Sequence, residues 1–161
     1  MRAYIVTYYF QSAFLLTLVF LNEEHGFAVA TPFFLENTVN KEQVIALFGD
    51  WNDALATGDP DVVTNMYAED AVLLPTVSNQ VRHNHAEIRD YFVAFLAKQP
   101  QGVITESNAR VLSDTLATNA GVYVFTFGDG STVSARFNYT YELRGSAWKI
   151  IQHHSSAMPE G

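Results

Sequence analysis

The chain changes its hydrophobic period as it runs. From residue 40 to 56 the apolar positions Val44, Leu47, Phe48, Trp51 and Leu55 recur at steps of three and four, one stripe of a helix. Asn40 with Gln43 has the form of a capping box, and Gly58 is a stop, since glycine takes the left-handed cap conformation without a Cβ clash. Asp59-Pro60 starts a second, short helix that reads on to about Met66 or Tyr67, with Asp as N-cap and Pro in the first turn. "AVLLPTVS" predicts a short strand from Ala71, with Pro75 marking an edge or a bulge. "NHAEIRDYFVAFLAK" predicts a third helix: Asn84 and Glu87 cap it, Ile88, Phe92, Phe95 and Leu96 form its stripe, and Pro100 ends it.

After Pro100 the period falls to two. Strands are predicted over 102–112, 116–127, 132–143 and 147–155, with "GDG" and "RGS" as turns. Ala135, Phe137, Tyr139 and Tyr141 face one way; Arg136, Asn138, Thr140 and Glu142 face the other. Helices followed by an antiparallel meander are the α+β signature. Three amphipathic helices cover one face of a twisted sheet. The expected solution is a curved antiparallel sheet wrapped on the N-terminal helices, with an aromatic-lined hollow between them. The other face is left to water or a second subunit.

The first thirty residues read differently. "MRAYIVTYYFQSAFLLTLVFL" carries one charge, Arg2, before a long apolar run, and Ala28 and Ala30 occupy the positions of an A-x-A cleavage site. The densest apolar part, 13–21, has the length of a signal-peptide core and is short for a membrane span. The expectation is a signal peptide over 1–30, an extension over 31–40 and one domain over 41–160. The product is exported, periplasmic or secreted, or membrane-anchored if the signal is not cleaved.

Composition narrows the classes. With 161 residues, 48% hydrophobic and 14% aromatic, the chain suits one compact domain. A net charge of −8 argues against sequence-independent nucleic-acid binding and against docking on anionic lipid. The absence of cysteine removes disulfides, thiolate chemistry and Cys-ligated zinc.

The element order and the motif "W…A…GD…Y…DAVLLPT…IRDYF…FL…P", then "ARFNYTYE…GSAWKIIQHHSSAMPE", resembles the nuclear transport factor 2-like superfamily. Within it the chain is similar to bacterial proteins related to the association (hub) domain of calcium/calmodulin-dependent protein kinase II. The hub's final strand ends in a W-x-I-x-x-x-H-x-S-like run, matched by Trp148, Ile150, His154 and Ser156. The resemblance implies an α+β cone with an inner pocket and assembly through the sheet. It also implies relatives of cyclase-like (SnoaL-like) and dehydratase-like activity. The hub's pocket is arginine-rich, but its two arginine positions on the last strands read Ser155 and Tyr139 here. The hub's carboxylate chemistry therefore transfers poorly. No Gly-rich loop with a following Lys, no H-R-D and no D-F-G is present, so a kinase domain is absent from this sequence.

Candidate chemistry centres on His153-His154. Neighbours on a regular strand point to opposite faces, so the two form neither a dyad nor a metal clamp. By strict alternation His153 and Ser155 share a face with Lys149 and Ile151, and His154 and Ser156 with Trp148 and Ile150. One histidine is expected in the hollow and the other outside. His83-x-His85 lacks a third ligand nearby, so no metal is expected. Asp70 is the carboxylate expected to be buried, as a candidate catalytic partner of His153 or as a strand-end hydrogen-bonding group. Arg82 is placed at the pocket mouth or on the surface, and Arg136 with His154 at a subunit interface.

Trp51, Tyr67, Tyr91, Tyr123, Tyr139 and Tyr141 read either as core, contributing about 1.5–3 kcal/mol each on burial, or as the lining of an aromatic ligand site, with Ser155 beside them. The preferred reading is a self-associating domain that binds a small apolar or aromatic molecule without a cofactor. The alternative is a cofactor-independent cyclase, isomerase or dehydratase using His153 as base, with a tyrosine or Asp70 assisting. A third reading is an oligomeric hub with an inert cavity.

Overall fold

The computed structural model describes the backbone of residues 3–10 and 13–20 and the whole of residues 39–159. The chain forms two compact units, divided between Thr38 and Val39. In the first, Ala3–Phe10 (β1) and Ala13–Phe20 (β2) pair antiparallel from Ala3↔Phe20 to Phe10↔Ala13. Arg2 and the Ala28-x-Ala30 site expected for a secretory signal lie outside the described residues, as does most of the 31–40 extension. Among the described residues no helix is long and apolar enough to cross a membrane.

The second unit opens with α1, Lys41–Ala56. Its capping box is formed on both sides: Asn40 Oδ1 accepts from the Gln43 N–H and Gln43 Oε1 from the Asn40 N–H, each at 2.8 Å. Gly58, at φ +69°, closes it. In α2, Pro60–Thr64, Asp59 Oδ1 accepts from the Asp61 N–H at 2.8 Å. This helix is shorter than its sequence suggests, because β3 begins at Tyr67 and not at Ala71. Pro75 stands just past the end of β3, Tyr67–Leu74. In α3, His85–Leu96, Asn84 Oδ1 caps the Glu87 N–H at 3.0 Å, while the Glu87 carboxylate reaches past the cap to the His83 N–H.

Four long strands follow: β4, Gln101–Ser113; β5, Leu116–Thr126; β6, Thr132–Arg144; and β7, Ala147–Ala157. The sheet order is β3-β7-β6-β5-β4. The meander is antiparallel as expected, but β3 pairs with β7 in parallel. The reason is topological. The chain leaves β3 through α3 and enters the sheet at its far edge. Three hairpins then bring β7 back beside β3, running the same way.

Of the four register shifts in the five-stranded sheet, two bear on the site. In β4 the pairing shifts between Ile104 and Glu106, so Thr105 is extra and the strand bends there. The bend brings the Glu106 carbonyl so close to Gly121 that a Cβ at that position would lie 1.9 Å from the oxygen. In β7 the pairs Thr140↔Gln152 and Tyr141↔Ile150 leave Ile151 without a partner.

The core lies between the helices and one sheet face. From α1, Phe48 meets Tyr123, Phe137 and Tyr139, and Trp51 meets Phe125 and Tyr139. From α3, Phe92 packs on Trp51 and Tyr67, and Phe95 on Phe125 and Phe127. Most of these ring pairs are tilted or edge-to-face, the arrangements the ring quadrupoles favour.

Candidate functional site

The bulge at Ile151 decides what the last strand presents. Strict alternation from Trp148 and Ile150 puts His154 with them. The extra residue resets the alternation, so Ile150 and His153 both point inward, at 2% and 3% exposure, and His154 points out. The expected split of the two histidines between faces holds. The expected company of His153 does not, since it shares its face with Ile150 and not with Lys149 and Ile151.

Three elements converge on His153. The Trp51 Nε1–H on α1 donates to Tyr67 Oη at 3.1 Å, and Tyr67 Oη lies 2.8 Å from His153 Nδ1. The imidazole stacks on Tyr139, with centroids 4.1 Å apart, and stands edge-on to Trp51. Its Nε2 is buried and has no partner among the described residues.

His153 borders a cavity of about 120 Å³. Trp51, Leu73, Phe92, Phe125 and Ala135 give it apolar walls. Tyr123 and Ser155 complete the deep part, but their polar atoms are occupied: the Tyr123 hydroxyl donates to Ser155 Oγ, which also bonds Thr76 Oγ1. Tyr91, Phe95, Lys98 and Val77 are shared with a neighbouring hollow that contains Arg82 and Asp90.

Of the residues picked out in the sequence, Trp51, Tyr91, Tyr123, His153 and Ser155 line this cavity. Tyr67, Tyr139 and Tyr141 do not. Their rings form a layer behind the imidazole, Tyr139 stacking on both His153 and Tyr141, and each is at most 2% exposed. Arg82 lies outside as well. Its backbone pairs with Leu73, and its Nη1 donates to the Gln80 carbonyl and Oε1 at 3.0 and 3.1 Å. Arg136 and His154 are exposed on the outer face, on paired strands.

Asp70 corrects the sequence reading. Ala71 and Leu73 point into the core, so alternation turns Asp70 outward, where its side chain is 69% exposed. Arg144 takes both its oxygens, at 2.6 and 3.2 Å. Asp70 is therefore an exposed ion-pair partner with its carboxyl held below the usual range, mainly by that bond. His85 Nε2 is spent on the Tyr67 carbonyl, and no metal-capable cluster of three His, Asp or Glu occurs among the described residues. Sequence reasoning missed Leu73, Thr76, Lys98 and Ala135 as wall residues. Leu73 and Ala135 carried the signal of inward parity, whereas Thr76 and Lys98 lie in a loop and at a helix end, where parity is undefined.

Electrostatics follow from burial. It pushes His153 down to about 3, helped by the nearby His154. It pushes Tyr91 up to about 12 and lifts Tyr67, Tyr123 and Tyr139 further. An imidazole that resists protonation this strongly is a poor base at neutral pH. With Asp70 outside, the His153–Asp70 pair is not assembled; the tyrosine hydroxyl beside the imidazole is that of Tyr67, which lies against Nδ1.

The profile of the calcium/calmodulin-dependent protein kinase II association domain matches residues 40–159. The chain belongs to that family. A crystal structure described as this association domain, from Xanthomonas campestris, is 51% identical, with a TM-score of 0.73 over 76% of this chain and 91% of that one. A nuclear transport factor 2-like protein of unknown function from Pseudomonas putida KT2440 is 16% identical, with a TM-score of 0.65 over 74% and 87% of the two chains. An uncharacterised protein with a cystatin-like fold from Caulobacter vibrioides is 16% identical, with a TM-score of 0.62 over 73% and 89%. The last two establish the fold alone, in agreement with the α+β, nuclear transport factor 2-like expectation. No curated protein matches the chain.

Proposed function

We propose that this association-domain protein is a self-associating binder of a small aromatic or apolar molecule. The observation that carries the proposal is the cavity itself. Close-packed interiors rarely retain a space of about 120 Å³, and an apolar void of this order accommodates a single aromatic ring. The walls are mostly rings and aliphatic groups from α1, α3 and four strands, so a guest exchanges water for contact with them. Titration calorimetry with toluene or phenol tests this. Saturable one-to-one binding that disappears in Ala135→Leu, which fills the cavity from β6, is the expected result. Absence of saturable binding up to the solubility limit overturns it.

Self-association is assigned to the outer sheet face, where Arg136 and His154 stand exposed on paired strands beside the half-buried Val122 and Val124. Arg136 has no carboxylate partner among the described residues, since Glu142 is taken by Arg144, and so it is available to a second copy.

A further inference from the structure

We infer that the cavity selects a single-ring aromatic ligand bearing one neutral hydrogen-bond acceptor, of the carbonyl type, which receives the proton of His153 Nε2. The inference rests on the ligand-binding reading above and names the chemistry of its guest.

The heavy-atom geometry fixes where the protons are. An indole N–H can only donate, so Tyr67 Oη accepts from Trp51. The remaining partner of Tyr67 is His153 Nδ1, and the phenolic proton goes there. Nδ1 is then an acceptor, and a neutral imidazole must carry its proton on Nε2. The opposite tautomer leaves the Tyr67 proton without an acceptor and the Nε2 lone pair without a donor, two unmet groups in place of one. Burial keeps the ring neutral, so the relay from Trp51 through Tyr67 to His153 ends in an uncharged N–H.

That N–H has no partner among the described residues, although His153 is 3% exposed and borders the cavity. A buried donor without a partner costs about 1–3 kcal/mol, and a guest that supplies an acceptor recovers it. Of the other polar side chains in the wall, Tyr123, Ser155 and Thr76 bond one another, with one hydroxyl proton of Ser155 or Thr76 left over, and Tyr91 and Lys98 stand where the cavity meets the neighbouring hollow. A carboxylate is a poor guest at this depth, because one neutral donor does not offset its desolvation.

The test compares three probes of similar shape on the full chain: acetophenone, isopropylbenzene, which replaces the carbonyl with a methyl-bearing carbon, and benzoate. At pH 7 the expected order is acetophenone about ten-fold tighter than isopropylbenzene, with benzoate weakest; about 1.4 kcal/mol separates a ten-fold step. The preference for acetophenone is expected to vanish in His153→Phe. Equal affinity for acetophenone and isopropylbenzene overturns the inference and leaves the binding reading standing, as does benzoate binding tightest. If none of the three binds, the binding reading fails and takes the inference with it. Imidazole ¹⁵N spectra of the unaltered protein give a second measurement, independent of any variant's folding. A protonated Nε2 and bare Nδ1 are expected, with the Nε2–H proton moving downfield on adding acetophenone; a protonated Nδ1 overturns the inference.

Discussion

Tyr67 and Tyr141 show how differently one residue type acts in one core. Both are almost fully buried. The Tyr67 hydroxyl serves Trp51 and His153, whereas the Tyr141 hydroxyl has no partner among the described residues. The same substitution therefore has opposite signs. Tyr67→Phe strands a buried indole N–H and an imidazole nitrogen and is expected to lower the unfolding free energy by about 2 kcal/mol, whereas Tyr141→Phe removes an unmet hydroxyl and is expected to be neutral or to stabilise by up to about 1 kcal/mol. Urea unfolding curves check both. The sequence showed a set of inward tyrosines, because alternation marks faces. It could not rank them, because which hydroxyl finds a partner depends on a strand 86 residues away from Tyr67. Asp70 was misread although parity from Ala71 and Leu73 places it outward; its partner Arg144, 74 residues on, could not be seen in the local pattern.

At the scale of elements, helices were legible to the residue where caps announce them, as at Asn40, Gly58, Asp59 and Asn84. Sheet irregularities were not. Nothing in "WKIIQHH" says that Ile151 is skipped by the ladder, since a bulge is settled by the pairing of the partner strand. The parallel β3–β7 pair was equally hidden, because local pattern records faces and not direction. The β4 bulge supplies the sharpest test at this scale. Gly121 has no room for a Cβ against the Glu106 backbone, which cannot swing aside as a side chain would. Gly121→Ala is expected to cost about 3 kcal/mol or more, seen as a large drop in Tm, by forcing the β4–β5 ladder apart. If Tm is unchanged, the close approach is not a constraint.

For the whole molecule, the order of helices and strands revealed the α+β architecture, and the family match and the sheet order agree with it. Its surface chemistry follows from the same alternation. Arg136, Asn138 and His154 lie outward because their neighbours Ala135, Phe137, Tyr139 and His153 fill the interior. If the outer face joins copies, the chain sediments as a dimer or larger species at micromolar concentration, and Arg136→Glu with His154→Glu shifts it to monomer without lowering Tm by more than a few degrees. A monomer from the start rejects assembly through this face.

In the five-stranded sheet β3 is hydrogen-bonded to one strand, β7, the last strand of this domain to be synthesised. Tyr67 and His153, the two halves of the relay, therefore meet only after synthesis of the domain is almost finished. A chain stopped short of Ala147 still carries α1, α3 and the β4–β6 hairpins. It lacks the His153 imidazole, and it has an open flank where β7 belongs and no closed compartment for a guest. If the cavity takes a guest as proposed, retention needs β7 in place, and a small aromatic compound would tell chains that carry β7 from chains stopped before it.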